Sequence, residues 1–226
     1  MNNICYIFGA GQISDIMQMS IVPDSGDCVI AADGGFAYLQ DLGVKADIVL
    51  GDFDSIEEIP QHPNLVVHPK EKDDTDMMLA VQEGLDRGYR RFIILGGMGG
   101  RLDHTYANIQ VLAFIAGQGG RGFLYGEDMA VTVVENGEMH FGHEKEGIIS
   151  VFAACDTAKG VTLTGLKYEL SDARLTRSRP LGISNEFIGM ESDVSVAEGS
   201  IVIMWNETLD GIKEWIKDAP DQEGYK

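Results

Sequence analysis

Wholly apolar runs alternate with segments of helical spacing along the first half of the chain. Residues 4–8, 28–32, 48–50 and 92–95 are short runs such as ICYIF and CVIAA. Each ends in a glycine-containing turn: Gly9-Ala10-Gly11, Asp33-Gly34-Gly35, Gly51-Asp52 and Gly96-Gly97. Runs of this length, rich in β-branched and aromatic residues, predict strands buried on both faces in a parallel sheet. Between and after them, residues 36–42, 75–86 and 104–116 predict helices. The first stops at Gly43, a residue suited to the left-handed position after a helix. The second carries Met78, Leu79, Val81 and Leu85 along one broad face, and the third follows Asp103, a favourable N-cap, and stops at Gly117. Alternating strands and helices imply a mostly parallel sheet covered on both faces.

The pattern changes at Gly119-Gly120. Beyond it lie short alternating runs at 131–134, 147–153, 161–163, 183–188, 194–196 and 201–205, separated by turns. Asn136-Gly137 is a two-residue hairpin signal. These spacings predict an antiparallel, β-sandwich-like unit. A last short helix is expected at 208–217, with a frayed tail from Asp218. The fold class is therefore α/β plus all-β, with residues 1–120 forming an α/β domain and 121–226 a β-rich one.

Composition narrows the function classes. With 226 residues, 44% of them hydrophobic, the chain has enough apolar material for one large core or two small ones. Seventeen Lys and Arg stand against 36 Asp and Glu, a net charge of −19. Such a surface repels phosphate backbones and anionic headgroups, so neither a general nucleic-acid role nor a membrane-surface role is expected. No apolar run is long enough to span a bilayer, and the first residues lack the basic stretch of a signal peptide. Cys5, Cys28 and Cys155 are widely spaced and odd in number, which argues against a disulfide framework or a thiolate zinc site. A cytoplasmic protein is the expectation.

Ligands of open parallel sheets sit beyond the carboxyl ends of the strands. The residues found there are chiefly Gly and Asp, in four clusters: Ala32-Asp33-Gly34-Gly35, Gly51-Asp52-Phe53-Asp54-Ser55, Asp73-Asp74-Thr75-Asp76, and residues 96–104, GGMGGRLDH. Singly, each is an ordinary solvated turn. Together they describe a site. Asp52 and Asp54 are two apart after a strand, so extended backbone points both carboxylates to one side. Hard oxygen donors of this kind suit Mg²⁺, which takes one or two carboxylates plus substrate phosphates. The glycines at 96–100 bring bare N–H groups to phosphate oxygens, and Arg101 adds a planar fork. Metal-assisted phosphoryl-type transfer is the reading of the set. The Gly9-Ala10-Gly11 turn resembles a broken dinucleotide fingerprint, with Ser14 where Gly or Ala belongs, and is more simply a tight strand-to-helix turn. No Gly-x-x-x-x-Gly-Lys-Ser/Thr sequence occurs, which excludes an ordinary P-loop kinase.

In that order, Ala32 to Gly35, Gly51 to Ser55, Asp73 to Asp76 and Gly100-Arg101-Leu102-Asp103-His104 closely resemble the thiamine pyrophosphokinase family. Gly182-Ile183-Ser184-Asn185-Glu186 resembles its later Gly-x-Ser-Asn element. The resemblance implies transfer of the pyrophosphoryl group of ATP to the hydroxyethyl oxygen of thiamine, giving thiamine diphosphate and AMP with Mg²⁺. It also implies an α/β catalytic domain, a β-rich thiamine-binding domain, and a homodimer whose active sites are shared between subunits. On the matching residues it implies Asp52, Asp54, Asp76 and Asp103 as the acidic Mg²⁺–pyrophosphate centre. Thr75 and Arg101 would contact phosphates, with Asp33 and Asp73 beside the nucleotide, and Ser184 and Asn185 in the thiamine pocket. Asp54 or Asp76 would accept the hydroxyl proton. Trp205 either stacks on thiamine or belongs to the core. His104 is either a site neighbour or a first-turn helix residue, and Gln12 and Ser14 are candidates for a nucleotide loop. The competing readings are a catalytically silent thiamine or nucleotide sensor, a nicotinamide-dependent oxidoreductase, and a structural acidic protein.

Overall fold

A computed structural model describes residues 3–13, 21–53, 61–69 and 71–218. In chain order its elements are β1 (Ile4–Phe8), β2 (Cys28–Ala32), α1 (Gly35–Leu42), β3 (Ile48–Gly51), β4 (Leu65–Val67), α2 (Asp76–Asp86), β5 (Arg91–Leu95) and α3 (Leu102–Gly117). There follow β6 (Arg121–Gly126), β7 (Met129–Glu135), β8 (Glu138–Phe141), β9 (Ile148–Ala153), β10 (Thr157–Thr164), β11 (Leu170–Thr176), β12 (Gly182–Glu186), β13 (Ser192–Ser195), β14 (Ser200–Asn206) and α4 (Leu209–Asp218). Ten strands form one sheet in the order β12-β9-β14-β7-β6-β5-β1-β2-β3-β4, and four form a second, β11-β10-β13-β8.

From β6 to β4 the long sheet is parallel, and from β7 outward it is antiparallel. The fold class expected from the pattern, a mostly parallel α/β sheet followed by an antiparallel β-rich part, is what the chain adopts. The changeover is the tight β6–β7 hairpin, whose turn residues Glu127 and Asp128 both have positive φ. That backbone twist suits the strands it joins. Central strands are buried on both faces, as their unbroken apolar runs require: Ile4, Tyr6 and Phe8 face one core, and Cys5 and Ile7 the other. On the second face lie α2 and α3 through Met77, Val81, Val111, Leu112 and Ile115. On the first lie α1, α4 and, farther along, the four-stranded sheet. There Val161, Leu163, Phe141 and Val194 pack in one core with Ile149, Val151, Ile201 and Ile203 of β9 and β14.

Local rules explain the element ends, with two corrections. Gly43 closes α1 in the left-handed conformation, φ 65°, and Thr75 caps α2, its Oγ1 accepting the Met78 N–H at 3.2 Å. Asp103, however, is not the N-cap of α3: the helix begins at Leu102, Arg101 holds the cap position, and Asp103 lies in the first turn. Its carboxylate is engaged by the Arg101 guanidinium, and the positive end of the helix suits it there. Nor does Asn136-Gly137 close a hairpin, because β7 stays in the long sheet beside β14 while β8 pairs with β13 in the other. Asn136 instead turns the corner between sheets. Its N–H donates to the Gly199 carbonyl at 3.0 Å, and its Oδ1 accepts the Gly199 N–H at 2.8 Å.

Candidate active site

From β1 the chain steps to β2, β3 and β4 on one side, then crosses through α2 to β5 on the other side of β1. The point where strand order reverses is where open α/β sheets bind ligands. A cleft of about 630 Å³ opens there, lined by the turns after β1, β2 and β5 and by the first residues of α2 and α3.

Two glycine turns form its floor. The Gly9 N–H donates to the Leu95 carbonyl and the Gly11 N–H to the Gly96 carbonyl, both at 2.8 Å. A methyl group on Gly11 would lie 2.5 Å from the Gly96 oxygen, and one on Gly96 2.4 Å from the Gly9 oxygen. Only glycine permits this approach, which accounts for the Gly-x-Gly turn without a dinucleotide. The turn after β5 is held from behind by buried Asn108, whose Nδ2 donates to the Gly97 carbonyl at 2.7 Å. Beyond it Gly99 and Gly100 adopt positive φ and border the cleft without side chains.

Polar groups converge on that floor. Asp33 follows β2 with φ 50°, its N–H bound to the Leu50 carbonyl at 2.7 Å, and borders the cleft. Thr75 and Asp76 stand at the start of α2, where the helix N-terminus favours negative ligands. Arg101 grips Asp103 through two hydrogen bonds, Nε to Oδ1 at 3.1 Å and Nη2 to Oδ2 at 2.6 Å. Both side chains are about two-thirds exposed or more, and the guanidinium holds the Asp103 carboxyl down at about 2. His104 and Gln12 also line the cleft, Asp73 is exposed nearby without lining it, and Asp54 and Ser14 lie outside the described residues.

Lys72, which no motif in the sequence marks, belongs to the same region. Its Nζ lies 2.6 Å from Asp76 Oδ1 and 3.7 Å from Asp52 Oδ2, so one ammonium draws together carboxylates from the β3 turn and the start of α2. The signal was present: a lysine among Glu71, Asp73 and Asp74, four residues before Asp76. Among the described residues no three His, Cys, Asp or Glu side chains are placed to share a metal ion. Asp52 and Asp76 nonetheless fit Mg²⁺, because hard oxygen donors gathered round a spot that already attracts positive charge are the set this ion takes beside phosphates.

The residues expected around thiamine lie elsewhere. Ser184, φ 55°, is exposed on β12, its N–H bound to Ser150 Oγ at 3.0 Å. Asn185 is buried: Oδ1 accepts the Tyr168 and Glu186 N–H groups at 2.9 Å each, and Nδ2 donates to the Tyr168 carbonyl at 2.7 Å. It therefore clamps the backbone of Tyr168, a residue 60% exposed whose ring has the Lys167 Nζ over it, 5.6 Å from the centroid. Trp205 is only 2% exposed, edge-on to Phe123 and Phe141, which is the core placement. None of Tyr168, Ser184, Asn185 or Trp205 lines the cleft.

Two family models match this chain: residues 22–119 match the thiamin pyrophosphokinase catalytic domain, and residues 137–201 its vitamin B1 binding domain. A thiamine pyrophosphokinase of Bacillus subtilis (strain 168) is 32% identical over 182 residues, covering 77% of this chain and 85% of the relative. The chain belongs to the thiamine pyrophosphokinase family. The crystal structure of thiamine pyrophosphokinase from Bacillus subtilis superposes with a TM-score of 0.78 at 28% identity, covering 92% of this chain and 100% of the other. That of the Geobacillus thermodenitrificans protein does so at 0.75 and 27%, covering 92% and 99%. Yeast thiamin pyrophosphokinase, at 14% identity and a TM-score of 0.69 over 94% of this chain and 89% of the other, shares the fold. Within the family's catalytic match fall Asp33, Asp52, Lys72, Thr75, Asp76, Arg101 and Asp103. Tyr168, Ser184 and Asn185 fall within the vitamin B1 match, and Trp205 lies beyond it.

Proposed function

We propose that this chain transfers the pyrophosphoryl group of ATP to the hydroxyethyl oxygen of thiamine, yielding thiamine diphosphate and AMP. The observation that carries this reading is the composition of one cleft: bare glycine amides, the N-terminus of α2 and Arg101 face the same space as the carboxylates Asp33 and Asp76. Family membership supports the donor and acceptor.

The chain contributes position and charge rather than covalent chemistry. Backbone N–H groups at 96–100 and the Thr75 hydroxyl cradle phosphate oxygens. Arg101 leaves Asp103 to stabilise the charge that develops on them. Asp52 and Asp76, with Asp54 and Asp103 by family resemblance, would hold Mg²⁺, which when bound neutralises phosphate charge. Asp33 and Asp73 lie beside the nucleotide. Asp54 or Asp76 accepts the proton as the thiamine hydroxyl attacks the β-phosphorus in line with the departing AMP oxygen.

Residues 1–120 bind the nucleotide and residues 121–226 bind thiamine. Because Ser184 and Asn185 do not line the cleft, a second copy of the chain brings its own Ser184 face to it, as a homodimer with shared sites. Tyr168, held by Asn185 and with the Lys167 ammonium 5.6 Å from its ring centroid, is an exposed aromatic that a flat cationic ring would reach by displacing that lysine. Exposed Ile148, Ile183 and Ile188 near the edge strand β12 supply apolar contact.

The test is AMP release from ATP and Mg²⁺, with and without thiamine, for wild type and Asp52→Asn. Thiamine-dependent AMP formation that falls at least a hundredfold in the variant is expected. Thiamine binding with no AMP, or release of ADP instead, would overturn the reading.

A further inference from the structure

Lys72 is where the described structure departs from an all-carboxylate metal centre. Asp52 lies in the turn after β3 and Asp76 at the start of α2, and like charges brought together repel. The Lys72 ammonium offsets that repulsion, at 2.6 Å from one carboxylate and 3.7 Å from the other. Its side chain is only 14% exposed, with Asp52 and Asp76 at 16% and 22%. These groups are thus partly shielded from water and salt, and their interaction is stronger than that of the exposed ion pairs elsewhere on this surface. Asp76 also borders the cleft, so Lys72 stands one carboxylate away from it.

From this geometry we infer that Lys72 is a resident counter-ion that alternates between two anionic partners. This rests on the nucleotide-cleft reading above. In the nucleotide-free protein Lys72 occupies the ground between Asp52 and Asp76, keeping the two loops in position and disfavouring metal binding in the absence of nucleotide. When metal-bound nucleotide enters, Lys72 releases both carboxylates and turns its ammonium to the phosphate oxygens. A flexible four-carbon stem with three donors allows that exchange, whereas a rigid planar fork at the same place would not turn as readily. The site is thereby biased toward taking metal and triphosphate together.

The test measures Mn²⁺ binding by the loss of its free electron-paramagnetic signal, with wild type, Lys72→Met and Lys72→Arg, alone and with α,β-methylene-ATP. Removing the ammonium should tighten binding of Mn²⁺ alone by about tenfold, because a positive charge leaves the immediate neighbourhood of a divalent ion. It should also weaken binding of the analogue in the presence of Mn²⁺ by about tenfold. Lys72→Arg, which keeps the charge, should leave Mn²⁺ affinity near that of wild type. A Lys72→Met protein that binds Mn²⁺ alone no more tightly than wild type would overturn the inference while leaving the nucleotide reading intact. A wild type that binds neither Mn²⁺ nor the analogue would remove the reading on which it rests.

A second measurement needs no variant. Acetylation of Lys72 in wild type, quantified by mass spectrometry, should be slow in the free protein, several-fold faster at saturating Mn²⁺ alone, and slow again with Mn²⁺ and analogue. Labelling unchanged by Mn²⁺ would equally count against a counter-ion that is displaced.

Discussion

Arg101 and Asp103 are separated by one residue and joined by two hydrogen bonds at the mouth of the cleft. The pair is exposed, so its worth lies in orientation and protonation more than in stability. The guanidinium, foremost by hydrogen bonding, lowers the Asp103 carboxyl from 3.8 to about 2. A lowered native value means that the stability this group supplies is present above the unfolded value and is lost as pH falls toward about 2. Carbon-detected NMR of the free protein should show Asp103 titrating near 2 and, in Arg101→Ala, at a clearly higher pH. An unchanged midpoint in the variant would mean that Arg101 does not hold the carboxylate in solution. Single residues were unevenly legible. Asp33, Thr75, Asp76, Arg101 and Asp103 border one cleft, whereas Asp52 and Asp73 do not line it; the first five sit at strand and helix ends whose direction the local sequence sets. Lys72 has a local signal only in its spacing to Asp76; its bridge to Asp52, like the hold of Asn185 on Tyr168, joins residues distant in the chain and is not legible in the sequence.

Among the elements, glycines divide into those that need a conformation and those that need space. At Gly35, the first residue of α1, an added methyl carbon would lie 1.9 Å from the Phe8 carbonyl oxygen of β1. At Gly43, φ is 65° and nothing lies within 4 Å of that carbon. Gly43→Ala should therefore cost about 1–2 kcal/mol, the strain of a left-handed alanine. Gly35→Ala, which forces backbone apart in a close-packed layer, should cost about 3 kcal/mol or more. Urea denaturation of both variants checks the ranking, and equal losses would refute it. Elements with unbroken apolar runs or a clear helical face were readable from their own residues, as for β1, β2, α1 and α2. No apolar run longer than three residues marks β4, β6, β8 or β11. β4 and β8 are only three and four residues long, β6 has Gly122 as its second residue and Gly126 as its last, and β11 exposes Ser171, Asp172 and Arg174. Their partners across the sheets, rather than their own apolar content, make them strands.

At the scale of the molecule, the long sheet runs without a break from β12 to β4, through the β6–β7 hairpin that lies between the parallel and antiparallel parts. Helix α3 covers that changeover, sharing a core with β6 and β7 through Leu112, Ile115, Leu124, Val131 and Val133. From the other face, α4 ties the end of the described chain to the parallel part. Buried Arg91 donates from Nε to the Ile216 carbonyl at 2.9 Å, and Arg121 lies over the Trp215 ring at 5.1 Å. A shared sheet and shared cores couple the two parts. Scanning calorimetry of the ligand-free protein should accordingly give one transition with equal calorimetric and van't Hoff enthalpies. Two resolved transitions would show that the parallel and antiparallel parts unfold independently. No helix among the described residues is long and apolar enough to cross a membrane.

The sequence by itself determined the class of each half, most strands and helices of the first half, and the acidic and glycine-rich motifs that mark the family. Those features depend on periodicity within a few residues and on side chains fixed at element ends. Only the tertiary structure decided which distant segments meet. It brought the Gly9 and Gly96 turns into backbone contact, sent the Asn136-Gly137 corner between two sheets, buried Trp205 in the core, and set Lys72 between Asp52 and Asp76. The physical reason is common to all four. Strand pairing, close packing and charge neutralisation are properties of neighbours in space, and in this chain those neighbours lie from four residues, as for Lys72 and Asp76, to more than eighty apart, as for Gly9 and Gly96.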